Sequence, residues 1–215
     1  MLWHRARWSD LIGKPLIFVV SLLPLGGLMW MGFQGGLGAN PVETITHQTG
    51  EWGLRFLLIT LTVTPLRRLL GWNWLQRFRR MLGLFAFFYV CLHFATYLVF
   101  DHFFNLQTIL EDVLERPYIT VGFSALLLLI PLAATSTNTM MKRLGRNWQR
   151  LHRLVYIIGI LGVLHFLWLV KADYLEPIIY AGLLGVLLGY RLWFRYQRVG
   201  LRWLFSANRT LSQFD

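Results

Sequence analysis

Two histidines, His93 and His165, stand inside long runs that contain no Asp, Glu, Lys or Arg. Burying an imidazole in hydrocarbon is costly, so a residue of this kind marks a functional site by default. His93 precedes the end of its run at Phe100 by 7 residues, and His165 precedes Val170 by 5. On helices rising 1.5 Å per residue, those are depths of about 10 Å and about 8 Å from the same boundary. Two imidazoles at one depth on two helices suit a haem b ligated from both sides. The alternative is a pair of histidines that hydrogen-bond between helices. Gly162 shares the face of His165 and leaves room for a flat ring. Tyr89 and Tyr97 flank His93 at helical spacing and are candidates to meet propionates.

The runs themselves define the elements. The chain of 215 residues is 56% hydrophobic and 14% charged, with 10 Trp and 16 Phe. That is too apolar for a soluble domain and reads as an integral membrane protein with aromatic belts. Six segments are predicted to cross: Pro15–Phe33, Trp52–Leu66, Met81–Phe100, Tyr118–Thr135, Leu154–Val170 and Tyr174–Phe194. The expected fold is all-α, a single six-helix domain over 1–215 with no internal sequence repeat. The first run is longer than a signal-peptide core and reads as a retained span. The single Cys91 excludes an internal disulfide and an all-cysteine metal site.

Charge sets the orientation. Eighteen of the 21 basic residues fall at the N-terminus, the second–third and fourth–fifth connections and the C-terminal tail. The other three, Arg55, Arg116 and Lys171, lie on the opposite side. Eight of the ten acids lie there too: Glu43, Glu51, Asp101, Glu111, Asp112, Glu115, Asp173 and Glu176. The positive-inside rule then places both termini in the cytoplasm. Because the charges flank apolar runs, the net +11 is a membrane signature and not one of nucleic-acid binding. The tail Arg195–Phe205 reads either as an amphipathic helix on the inner leaflet or as a frayed basic end.

His152 begins the fifth helix among Arg150 and Arg153, 13 residues from His165. At about 20 Å along the helix, one haem cannot use both. It is a candidate for a second haem, for a flavin or quinone pocket, or for a solvated interfacial position. At matching depth the third helix offers Arg79 or Arg80 and no histidine. Arg77, Arg79, Arg80, Trp148, Gln149 and His152 would make an inner basic pocket for a phosphate or a quinone headgroup. A plain positive-inside anchor accounts for the same arginines. His4 is expected to be solvated, His102 structural, and His47 to sit in an outer loop over Gly38–Glu51. No dinucleotide fingerprint, Walker loop, zinc-protease motif or hydrolase triad is present. Two axial histidines saturate an iron, which favours electron transfer over oxygen chemistry.

Several stretches carry a resemblance: GGLGANPVETITHQTGEWGLRFLL (35–58), TPLRR (64–68), RRMLGL (79–84) and CLHFATY (91–97). RPYITVG (116–122), ATSTN (134–138), LGRNWQRLHRLVY (144–156) and LHFLWLVK (164–171) complete it. The chain resembles the haem-binding membrane subunits of bacterial periplasmic methionine sulfoxide reductase systems, among the ferric-reductase-like transmembrane proteins. The resemblance implies an inner-membrane location and haem-linked His93, His152 and His165. It implies an FMN or quinone-linked input on the inner side, from the quinone pool or a cytoplasmic flavin reductase. Output would go to a periplasmic molybdopterin-containing reductase subunit that repairs methionine sulfoxide in proteins. The wider family often carries two histidines on each of two helices for two haems. Here arginine replaces the inner third-helix histidine, so one haem is expected. The wider family's attached flavin–nicotinamide domain is not expected here either. The rival functions are an ion or proton transporter with relay histidines, a structural anchor and a self-sufficient metal reductase.

Overall fold

The computed structural model describes residues 9–170 and 173–211, with side chains for 11–170 and 173–197. His4, Arg5, Arg7, Lys171 and the side chains of Arg198, Arg202 and Arg209 lie outside the described residues. The regular elements described are all helical. They are α1 (Lys14–Phe33), α2 (Pro41–Leu70), α3 (Arg79–Thr96), α4 (Leu106–Glu115), α5 (Pro117–Ala134), α6 (Asn138–Leu144), α7 (Arg146–Leu151), α8 (Leu154–Leu169) and α9 (Leu175–Leu211). Among the described residues, five stretches are long and apolar enough to cross a membrane: Leu11–Phe33, Arg79–Asp101, Pro117–Ala134, Arg146–Leu169 and Leu175–Gln197. The molecule is an all-α, multi-pass bundle.

Helix α2 departs from expectation. It begins at Pro41, not near Trp52, so the outer loop expected over Gly38–Glu51 is mostly helix. Asn40 caps it, its side-chain oxygen accepting from the Glu43 amide at 3.3 Å, and Pro41 supplies a helical φ at the first position. Glu43, His47 and Glu51 break the apolar pattern without breaking the helix. His47 therefore lies on α2. Arg55 pairs with Glu51 at 2.6 Å and donates to the Tyr180 hydroxyl at 2.7 Å. The tail also differs, because α9 continues unbroken through Arg195–Phe205.

The core is two helix hairpins. Helix α2 packs along α3, α5 packs along α8, and α3 meets α5 between them. These hairpins repeat one another, correcting the expectation of no internal repeat. Thr46, Gly50 and His93 of the first stand 72 residues before Tyr118, Gly122 and His165 of the second. LGWNWLQRFRR (70–80) matches LGRNWQRLHR (144–153) once Leu75 is skipped, which sets Arg79 opposite His152. The inserted residue and the free exchange of lipid-facing side chains obscure this repeat in the linear sequence.

Two prolines open helical ladders, and buried side chains close them. Pro24 interrupts α1, and the Tyr89 hydroxyl inserts beside it. That hydroxyl accepts from the Leu25 amide at 3.2 Å and donates to the Ser21 carbonyl at 2.8 Å, replacing one turn's hydrogen bond. In α2, Pro65 leaves the Leu61 carbonyl without its helical donor. The Arg191 guanidinium from α9 donates to that carbonyl and to the Leu187 carbonyl at 2.8 Å. Leu61 and Tyr89 are among the most deeply buried side chains.

Candidate functional site between the two hairpins

A cavity of about 490 Å³ lies where the hairpins meet, within the size range of cofactor sites. His93 enters it from α3 and His165 from α8, with ring centroids 6.0 Å apart and ring planes at 77°. Each ring is held by the opposite helix of its own hairpin. The Nδ1–H of His93 donates to the Thr46 carbonyl at 2.9 Å, and that of His165 to the Tyr118 carbonyl at 2.7 Å. A carbonyl can only accept, so the proton is on Nδ1 and the Nε2 lone pair is free. A second hydrogen bond that fixes ring and tautomer is the usual support of a metal-bound histidine.

Two glycines make that arrangement possible. A Cβ at Gly50 would come within 2.9 Å of His93 Nδ1, and one at Gly122 within 2.7 Å of His165 Nδ1. Each imidazole therefore lies directly on a neighbouring backbone. Sequence reasoning missed both residues; the 72-residue repeat was the signal that marks them. Gly162, chosen for its spacing, lines the cavity but faces Leu54 at an ordinary 3.5 Å.

Ligand chemistry narrows what fits. Two metal–imidazole bonds of about 2 Å and two ring radii of about 1.1 Å span about 6 Å. Among the described residues there is no group of three His, Cys, Asp or Glu to complete a bare metal site. A metal here has to bring its remaining ligands, as a chelating macrocycle does. The cavity's inner walls, including Leu54, Leu57, Val90, Leu126 and Ile158, suit a flat apolar ring.

The outer rim is polar. His102 meets Asp112 at 3.0 Å and Thr108 at 3.0 Å, which fits its expected structural place, while also lining the cavity. Arg116 pairs with Asp112 at 3.2 Å and donates to the Tyr118 hydroxyl at 3.4 Å. The Tyr118 hydroxyl and the Asp112 carboxylate hold the Arg116 guanidinium above its usual range. Tyr97 lines the rim, but Tyr89 does not: its hydroxyl is spent on α1.

The inner residues are elsewhere, and none of them lines the cavity. The His152 ring stacks on Trp148, centroids 3.9 Å apart, and its Nδ1–H donates to the Trp148 carbonyl at 3.1 Å. Its Nε2 is buried with no hydrogen bond. The Trp148 indole donates to the Thr135 carbonyl at 2.9 Å, and Arg80 donates to Asn138. Arg79 is half-buried within electrostatic range of His152 and Tyr156, whereas Arg77 and Gln149 are exposed.

Comparison with known proteins decides the family. Residues 49–163 match the family described as ferric reductase like transmembrane component. The chain belongs to that family. The matched stretch includes His93 and His152 and stops just before His165. A protein of Herminiimonas arsenicoxydans, the protein-methionine-sulfoxide reductase heme-binding subunit MsrQ, is 57% identical over 92% of both chains. The protein of the same name from Xanthomonas euvesicatoria is 56% identical over 88% of this chain and 89% of its own. That from Rhodospirillum rubrum is 56% identical over 85% and 88%. No solved structure matches this member of the family.

Proposed function

We propose that this protein is the transmembrane haem subunit that carries electrons across the bacterial inner membrane to a periplasmic methionine sulfoxide reductase. The observation that carries this reading is the pair of backbone-braced imidazoles 6.0 Å apart across an apolar cavity. The names and 56–57% identities of its relatives support the same conclusion. A haem b bound there would supply a one-electron carrier with both axial positions taken. His93 and His165 would hold it, since the Thr46 and Tyr118 carbonyls keep their Nε2 atoms available. The apolar walls exclude water from the ring faces.

The six crossings form one domain with both termini cytoplasmic, which the loop charges support. Helix α2 is the sixth crossing: its first half carries Glu43 and the paired Glu51 and Arg55, Arg67 and Arg68 stand in its last turn, and the stretch 56–66 between them is uncharged. Electrons enter on the inner side from the quinone pool or a cytoplasmic flavin reductase. Arg77, Arg79, Arg80, Trp148 and Gln149 hold an FMN phosphate or a quinone headgroup there. His152 belongs to the inner haem-linked set, about 20 Å along the helix from His165. The acidic outer side receives the molybdopterin-containing partner.

Haem content of purified variants, measured as the pyridine haemochromogen, tests this reading. His93→Ala and His165→Ala should each lose most of the low-spin haem. Full retention in both would overturn the assignment. His152→Ala should slow reduction by the donor while dithionite still reduces the haem of the outer cavity completely.

A further inference from the structure

The outer rim of the cavity contains a polar group with nothing to bind. The Tyr97 hydroxyl oxygen is buried, lines the cavity and makes no hydrogen bond. Leaving such a group unpaired is costly. Tyr97 stands one helical turn outward of His93, about 6 Å along the axis. Across the rim from it is Arg116, the residue that precedes α5. Its placement is unusual, because the outer side is acidic. Among the described residues the only Arg or Lys side chains there are Arg55 and Arg116, and Arg55 is committed to Glu51. Arg116 spends one donor on Asp112 and one on the Tyr118 hydroxyl, and a guanidinium has five. Asp112 in turn is shared with His102. The rim thus offers a phenol donor and spare guanidinium donors; of the two carboxylates near Tyr97, Asp112 is paired with Arg116 and His102, and Asp101 also lines the cavity. That is a site for an anion that enters with the cavity's occupant.

We infer that Tyr97 and Arg116 form a carboxylate site that receives a haem propionate, turning the propionate edge toward the outer face. The inference rests on the haem reading above. It makes both side chains positioning residues: they orient the ring and set its charge environment without touching the iron. A hydrogen bond and a guanidinium beside a propionate offset its negative charge and so favour the ferrous state. Asp112 is shared between Arg116 and His102, so Arg116 is not its sole partner.

The test uses the full-length haem-loaded protein with Tyr97→Phe and Arg116→Gln, and Arg116→Lys as the variant that keeps charge but loses the fork. The low-spin Soret band of the haem that is bound should persist, because His93 and His165 remain. Redox titration should show the ferric-to-ferrous ratio at a fixed potential rising about tenfold in Arg116→Gln, 59 mV for one electron. Tyr97→Phe should shift it in the same direction, with Arg116→Lys intermediate. The propionate bending band in the resonance Raman spectrum should move in Tyr97→Phe, which a purely structural phenol would not cause. An unmoved band and an unchanged potential in Tyr97→Phe would overturn the proposal while leaving the axial assignment intact. A wild-type protein without haem would instead overturn the functional reading on which it rests.

Discussion

Gly50 and Gly122 show how little of a ligand site is the ligand. An imidazole poses no difficulty to a helix, but one braced against a neighbouring backbone needs that backbone bare. A Cβ at Gly122 would stand 2.7 Å from His165 Nδ1 and 2.8 Å from Cε1, so the ring must move. Overpacking of this kind costs about 1–3 kcal/mol, or about fivefold to 150-fold in an equilibrium constant. Gly122→Ala should therefore lower haem affinity by that factor with both axial histidines present. Gly185→Ala on α9, where a Cβ meets nothing within 4 Å, should leave it unchanged. Haem titration of the purified proteins checks both, and full loading of Gly122→Ala would remove the bracing argument. The histidines were legible in the sequence because a polar side chain in an apolar run has no competing explanation of equal weight. The glycines were not, because a glycine in a membrane helix has many. Only the second copy of the motif, 72 residues on, tells these two apart from the other 17.

At the scale of elements, apolar runs located five crossing helices and misjudged the start of α2. Periodicity and hydropathy register what faces lipid. Glu43, His47 and Glu51 sit on a helix whose neighbours, not lipid, decide its length. The same limit hid the ladder repairs, which join residues far apart in the chain. Tyr89 was read as a flank of His93 because it is one turn away, yet its hydroxyl completes α1 across 68 residues of sequence. Removing that hydroxyl takes away the bridge between the Leu25 amide and the Ser21 carbonyl, which must then close on each other beside Pro24 or stay unpaired. Tyr89→Phe should destabilise the protein by about 1–3 kcal/mol while leaving the haem spectrum unchanged. A thermal-unfolding series in detergent measures this. An unchanged midpoint would mean that α1 contributes nothing to holding the bundle together.

At the scale of the whole molecule, two hairpins related by internal repetition put one histidine each into a shared cavity. The same relation sets Arg79 opposite His152 on the inner side. The repeat is therefore symmetric where the imidazoles meet and asymmetric at the end where Arg79 faces His152. Charge is the basis of the proposed orientation. Eighteen of the 21 basic residues fall on one side and eight of the ten acids on the other. With both termini cytoplasmic, a C-terminal alkaline phosphatase fusion should be inactive and a C-terminal fluorescent protein bright. The reverse pattern would invert the direction of electron flow, because the histidine pair would then lie on the cytoplasmic side.

The central claim is a haem iron held between His93 and His165. Low-temperature electron paramagnetic resonance of the oxidised, purified protein tests it most directly. Ring planes at 77° predict a strongly anisotropic low-spin ferric signal, the signature of two imidazoles that lie nearly perpendicular. His165→Ala should abolish that signal. A high-spin spectrum, a rhombic signal from parallel rings or a sample without haem would contradict the account.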